Sequence, residues 1–242
     1  MIVEVCASSL KSALIAQSAG VDRLELCTAL GVGGLTPSYG LLKSVKEQIH
    51  IPVHVLIRPR MGDFTYNDHE FQMMLDDIEI VKSMGFEGVV SGVLNQDFTI
   101  DINRTKELKN AASGMTFTFH RAFDWVPNPE QSLKELEVLG VDILLSSGQK
   151  SKAIDGISLL ERLQLQTNSI VIMPGSGVND STVTQFEQTG FKAVHLSGVV
   201  AEHKIGLTDK IAMNSSSMLL EENSYETSAI VLKRLQKALG KS

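Results

Sequence analysis

The sequence is short of cysteine, of net positive charge and of long apolar runs, and each shortage closes off a class of protein. Cysteine occurs only at Cys6 and Cys27. Two thiols in a reducing compartment are free, ligating or catalytic rather than a disulfide framework. Lysine and arginine number 22 against 28 aspartates and glutamates, a formal charge of −6, with a pI near 5.5. Such a chain lacks the clustered cations that nucleic acid requires. No run reaches the roughly 18 apolar residues of a membrane span. Residues 1–6 read as a strand rather than a basic and then apolar leader, so a cytoplasmic protein is expected. Long polar tracts are missing too: with 43% hydrophobic residues over 242 positions, the chain can bury one large core, and one domain over 1–242 is expected.

What is present is alternation. Short β-branched runs at 2–6, 22–27, 52–58, 87–91, 115–120, 141–146, 169–173 and 192–197 are separated by amphipathic stretches of helical period. Helix starts are marked by Thr36 before Pro37, by Asn67 with Glu70 three residues on, by Asn128 before Pro129, and by Asn179 or Asp180. Gly20, Gly85, Gly140 and Gly190 stand where left-handed residues end four helices. Each is followed, after one residue, by Asp, Glu or Lys at the start of the next strand. Eight such units predict a (β/α)8 TIM barrel, although an open doubly wound sheet produces the same alternation. After the eighth strand a polar loop over about 201–223 precedes a last helix, predicted from Tyr225 to Leu239. The loop fits a lid, an oligomer contact or a packing segment.

In a closed barrel one strand parity faces the helices and the other fills the lumen. Val3, Val5, Leu24, Leu26, Val53, Val55, Ile57, Phe117, Phe119, Val194 and Leu196 suit the helix layer. That leaves Glu4, Cys6, Glu25, Cys27, His54, Leu56, Arg58, Thr116, Thr118, His120, His195 and Ser197 inward. Buried carboxylates require partners, and Arg58 and the histidines are the expected ones. Cys6 and Cys27 end neighbouring strands, close enough for one soft ion such as Cu(I) to bridge them.

The upper strand ends, where barrel enzymes keep their chemistry, are heavily loaded. "RPRMGDF" supplies Arg58, Arg60 and Asp63; "HRAFD" supplies His120, Arg121 and Asp124; "SSGQK" contains Ser146; "MPGSGV" contains Gly175, Ser176 and Gly177; "LSG" contains Ser197 and Gly198. Arginines near a cleft fit an anionic ligand, and they equally fit structural salt bridges. Gly-rich turns after the seventh and eighth strands fit a phosphate or carboxylate pocket, and they equally fit plain turns. The candidate catalytic set is Glu25 and His120 as acid or base with Arg58 and Asp124. Arg60, Ser146, Gly175, Ser176, Gly177, Ser197 and Gly198 are the candidate ligand-binding residues. His54 reads as deeper and structural. A divalent metal on Glu25, His54, His120 and His195 is a weaker alternative. No lysine takes an inward position near a strand's upper end, which argues against a Schiff-base aldolase. Trp125, the lone tryptophan, would suit a protein contact.

The stretches "EVC", "DRLELC", "GGLTPS", "IPVHVLIRPR", "TFHRAFD", "SSGQKS" and "PGSGV", in this order, resemble the CutC copper-homeostasis family from residue 1 to about 200. The resemblance implies a cytoplasmic (β/α)8 barrel associated with copper, with Cu(I) bound through cysteines matching Cys6 and Cys27. It leaves open whether the chain is an enzyme acting on a small anionic or phosphorylated metabolite, and whether it forms a homo-oligomer.

Overall fold

The structure is a computed structural model in which residues 1–204, 210–211 and 223–241 are described. Its strands Ile2–Ala7 (β1), Arg23–Leu26 (β2), Val53–Leu56 (β3), Gly88–Ser91 (β4), Thr116–Phe119 (β5), Ile143–Ser146 (β6), Val171–Pro174 (β7) and Ala193–Leu196 (β8) form one parallel sheet. They stand in the order β7-β6-β5-β4-β3-β2-β1-β8. A single parallel bridge between Gly175 and His195 joins the two ends of the sheet. The helices Leu10–Ser18 (α1), Tyr39–Gln48 (α2), Asp68–Ser83 (α3), Ile102–Ala111 (α4), Pro129–Val138 (α5), Ile157–Gln166 (α6) and Val183–Gln188 (α7) alternate with the strands, and Ala229–Ala238 (α8) follows them. This is the (β/α)8 barrel that the alternation predicts.

The pleat sorts side chains as the parity argument requires. Val3, Val5, Leu24, Leu26, Val53, Val55, Ile57, Phe117, Phe119, Val194 and Leu196 all belong to the large apolar cluster shared with the helices. Cys6, Cys27, Leu56 and Val90 form a separate small cluster, and Ile143, Leu145, Met173 and Ala193 form another. The barrel therefore has a continuous outer core and a lumen only partly filled with apolar groups.

Local chemistry fixes the helix ends. Asn67 and Glu70 form the reciprocal capping box ahead of α3, and the Asn128 side chain accepts from the Gln131 N–H ahead of Pro129 in α5. Two starts differ from the sequence reading. The cap of α2 is Ser38, which accepts from Leu41 N–H, while Thr36 Oγ1 accepts from the Arg58 N–H at 2.9 Å and so ties two loops together. Helix α7 starts after Thr182, because the Asn179 side chain is spent on the turn at Ser181.

Gly20, Gly85, Gly140 and Gly190 have φ of 74, 77, 72 and 88°, the left-handed conformation that ends a helix with least strain. The acids two residues beyond three of them have a common role. Asp22 accepts from the Val3 N–H at 2.7 Å, Glu87 from the Val53 N–H at 2.9 Å, and Asp142 from the Phe117 N–H at 2.8 Å. Each of these three even strands thus opens with a carboxylate that caps the preceding odd strand at the bottom of the barrel. The fourth even strand is preceded by Lys192, which has no carboxylate to give.

The polar loop expected over about 201–223 lies mostly outside the described residues. Its described start is instead strand Val199–Lys204 (β9), which pairs antiparallel with Asn223–Thr227 (β10). The last helix accordingly begins at Ala229 rather than Tyr225. The Glu226 carboxylate accepts from Ser9 and Ser12 hydroxyls at 2.8 and 2.6 Å, fastening β10 over the start of α1.

Gly88 makes room for an inward histidine: a Cβ at this position would stand 2.5 Å from His54 Cδ2. Gly88→Ala is expected to lower stability by about 1–3 kcal/mol in urea unfolding. An unchanged midpoint would show that the His54 ring moves aside freely.

Candidate functional site

Three levels of polar side chains occupy the lumen. At the lowest, Glu4 has no exposed surface. Its Oε2 accepts from Arg23 Nε at 2.5 Å, and its Oε1 lies 2.8 Å from His195 Nδ1. His54 Nδ1 is 3.9 Å from Oε2, beyond hydrogen-bond range. The buried carboxylate is therefore partnered by Arg23 and His195, not by Arg58. Arg23 shares the parity of Glu25, and that alternation was the signal for it. Burial works to raise the Glu4 pKa, but the hydrogen bond from His195 and the charge of Arg23 overcome it and hold the group at about 2. Burial works to lower His195, and the charge of Glu25 with the Glu4 hydrogen bond reverses that to a raised value.

The second level holds the sulfurs. Cys6 Sγ is 3.3 Å from Cys27 Sγ and donates to Glu25 Oε1 at 3.3 Å. Both cysteines are free thiols, and both are buried. The contact with Cys27, then burial, then the Glu25 charge push the Cys6 thiol well above its usual value. Burial also raises Glu25, whose Oε2 has no hydrogen-bond partner. Ligand atoms of Cys6, Glu25 and His195 all lie within 4.8 Å of one another. His54 and His120, considered with Glu25 and His195 for a divalent ion, are not part of that group.

The third level is a cavity of about 1090 Å³ at the upper ends of the strands. Cys6, Glu25, Arg58, His120, Arg121, His195, Ser176, Gly177, Ser197 and Gly198 all line it. Cys27 lies behind Cys6 with no exposed surface. Arg58 is buried, and its guanidinium donates to the carbonyls of Val32, Gly34 and Gly62 at 3.0, 3.0 and 2.7 Å. It stacks over Phe64 at 5.0 Å. The His120 Nδ1 accepts from the Ala122 N–H, leaving the ring proton on Nε2, which has no partner. Burial, helped by the charge of Arg58, lowers His120 to about 3, and burial lowers His54 to about 4. Both rings are neutral at pH 7.

Arg60, Asp124, Ser146 and Gly175 lie off the cavity and hold its rim. Arg60 is spent on Glu70 at 2.7 Å, Asp63 at 3.1 Å and the Thr65 carbonyl. Asp124 accepts from Ser146 Oγ at 2.6 Å, from the Ser147 and Gln149 N–H groups and from Arg121 Nε at 2.8 Å, so it organises the turn after β6 together with Ser146. Gly175 serves barrel closure: a Cβ there would come 2.4 Å from Leu145 Cδ1 and 3.3 Å from His195 Cβ. Trp125, half-exposed, lines the cavity mouth with its ring edge-on to Phe64 at 5.0 Å. Leu30, Val32, Tyr225 and Val231, which sequence reasoning missed, complete the wall from the loop after β2, from β10 and from α8.

The family model described as the CutC family matches residues 1–200. The chain belongs to the CutC family. A CutC protein of Salmonella paratyphi A is 47% identical over 199 residues, 82% of this chain and 80% of the relative, and one from Enterobacter sp. is 47% identical over 196 residues, 81% and 79%. The crystal structure of a CutC from Streptococcus agalactiae, provisionally described as a copper homeostasis protein, is similar with a TM-score of 0.77 and 34% identity, covering 81% of this chain and 97% of that one. A 3-hexulose-6-phosphate synthase from Salmonella typhimurium, at 16% identity, TM-score 0.61 and 100% of both chains, shares the barrel fold. Among the described residues no helix is long and apolar enough to cross a membrane.

Arg23→Leu leaves Glu4 buried with one strong partner fewer and is expected to cost about 3–5 kcal/mol in denaturant unfolding. A cost below 1 kcal/mol would show that His195 alone satisfies the carboxylate. His120 takes up a proton below about pH 6.5 in the unfolded chain but only near 3 when folded. Its contribution therefore weakens stability as pH falls through that window. Between pH 6.5 and 4.5 the stability of His120→Gln should fall less steeply than that of the wild type, by on the order of 1 kcal/mol per pH unit. Parallel profiles would contradict a histidine held neutral.

Proposed function

We propose that this CutC-family chain binds one Cu(I) ion through Cys6 and Cys27 in the service of copper homeostasis, in the reducing cytoplasm where both thiols stay free. The observation that carries this reading is the sulfur pair itself, two buried thiols 3.3 Å apart at the floor of an open cavity. Thiolates are soft donors that favour Cu(I) over harder cations, and no other cysteine competes within the chain. Cys6 lines the cavity while Cys27 lies behind it, so an ion arriving from the mouth meets Cys6 first. Glu25 and His195 stand beside Cys6 and supply the nearest oxygen and nitrogen donors.

Each thiol that ligates must give up its proton, and the raised Cys6 thiol retains its proton at neutral pH. Binding therefore releases protons to the cavity, and affinity rises with pH. In anaerobic competition with a Cu(I)-specific chelator, wild-type protein is expected to hold one equivalent. Cys6→Ala and Cys27→Ala should each weaken it by about 100-fold or more, and affinity should strengthen from pH 6 to 8. Retention of wild-type affinity by both alanine variants would end the proposal.

A further inference from the structure

The cavity above the sulfurs has chemistry that copper does not use. One wall, built from the ends of β3 and β5, presents the donors Arg58, His120 and Arg121, and its one carboxylate, Asp63, is spent on Arg60 and Thr65. Arg58 is a buried guanidinium satisfied by three carbonyls, with its Nε left unpartnered. Among the described residues no carboxylate lies within ion-pairing distance of it, whereas Arg23, Arg60, Arg104 and Arg121 all have one. Arg121 lines the same wall, its side chain 42% exposed, with Nε given to Asp124 and Nη2 to Ser147 Oγ at 2.8 and 2.9 Å. His120, 5% exposed, offers a neutral N–H at Nε2 with nothing to receive it. A buried cation without an anion and a buried donor without an acceptor are each costly to fold around, so the wall is complementary to something that brings oxygens.

On β2, the neighbour of β3 and three strands from β5, the lumen presents the reverse. Glu25 is 5% exposed, lines the cavity, and keeps Oε2 free of any hydrogen bond after Oε1 accepts from Cys6. This wall needs a donor. The cavity between them, about 1090 Å³ with its mouth, is large enough for a molecule of several heavy atoms.

We propose that the rim cavity binds a small organic oxyanion, a phosphate or a carboxylate carried on a hydroxylated chain. Its anionic end lies against Arg58, Arg121 and His120, and a hydroxyl at its other end donates to Glu25. Two-ended recognition follows from the two walls: the anion completes the charge of the cationic one, and the hydroxyl completes the acceptor of the acidic one. The anionic end is separate from the sulfurs, and only the hydroxyl end, at Glu25, borders them.

Calorimetric titration of the full-length protein with glycerol 3-phosphate, glycerate, inorganic phosphate and glycerol tests this. At least one of the two hydroxylated anions is expected to bind saturably at one per chain, and which of them does so distinguishes phosphate from carboxylate; glycerol should not bind. Arg121→Gln, at a partly exposed position, and His120→Gln should each weaken the anion by roughly tenfold. Glu25→Gln should weaken the hydroxylated anion yet leave the weaker binding of inorganic phosphate unchanged, a split that a purely structural role would not produce. Cys27→Ala, which removes the copper pair, should bind the anion as the wild type does. The proposal is overturned if both hydroxylated anions bind no better than glycerol, or if folded Arg121→Gln and His120→Gln proteins, with wild-type melting temperatures, bind them unchanged.

Discussion

The buried carboxylate of Glu4 is the constraint around which the lumen is arranged. A charge without solvent contact is tolerated only when it is paired and hydrogen-bonded, and both of its oxygens are so held, by Arg23 and by His195. These residues come from β2 and β8, the two neighbours of β1. One ionic cluster therefore ties three adjacent strands across the sequence ends of the sheet. The same contacts set the state of the groups above. His195, beside Cys6, is drawn toward its charged form by Glu25 and Glu4 against its burial, while Glu25, given no such direct partner, is pushed toward its neutral form by burial.

From that base the lumen changes character with height. Ions give way to sulfurs, and sulfurs give way to a cavity with a cationic side and an acidic side. The apolar groups that usually fill barrel layers are confined here to two small clusters. Stability comes from the outer layer, where the strands meet the helices. That division lets the inner face hold costly polar groups, because the core they would otherwise weaken lies on the opposite side of each strand.

Much of this was legible in the residues. Period-2 alternation placed Glu4, Cys6, Glu25 and Cys27 inside because a one-residue shift would have turned Val3, Val5, Leu24 and Leu26 away from the helices. The motif "DRLELC" contained Arg23 at the same parity, but a charge at the first position of a strand reads as surface until a buried acid on the next strand calls for it. Loop side chains were harder to place. Position in "RPRMGDF" and "HRAFD" put Arg60 and Asp124 at the rim, yet their direction depends on Glu70 and on the turn after β6, contacts that arise only on folding. The β9–β10 pair was hidden for a different reason: its strands flank a polar segment whose composition reads as loop, and antiparallel pairing over such a distance leaves no local period.

The carboxylates at the bottom of the barrel group the strands in twos. Asp22 joins β2 to β1, Glu87 joins β4 to β3, and Asp142 joins β6 to β5, while the last pair, β7 and β8, has Lys192 in place of an acid and meets only at the Gly175–His195 bridge. The architecture is that of four quarter-barrels, three latched and one unlatched. The unlatched quarter contributes His195 and the Ser176–Gly177 turn, so the staves that separate with least loss of hydrogen bonding are those that border the lumen cavity, and the cask has its weakest seam beside its mouth.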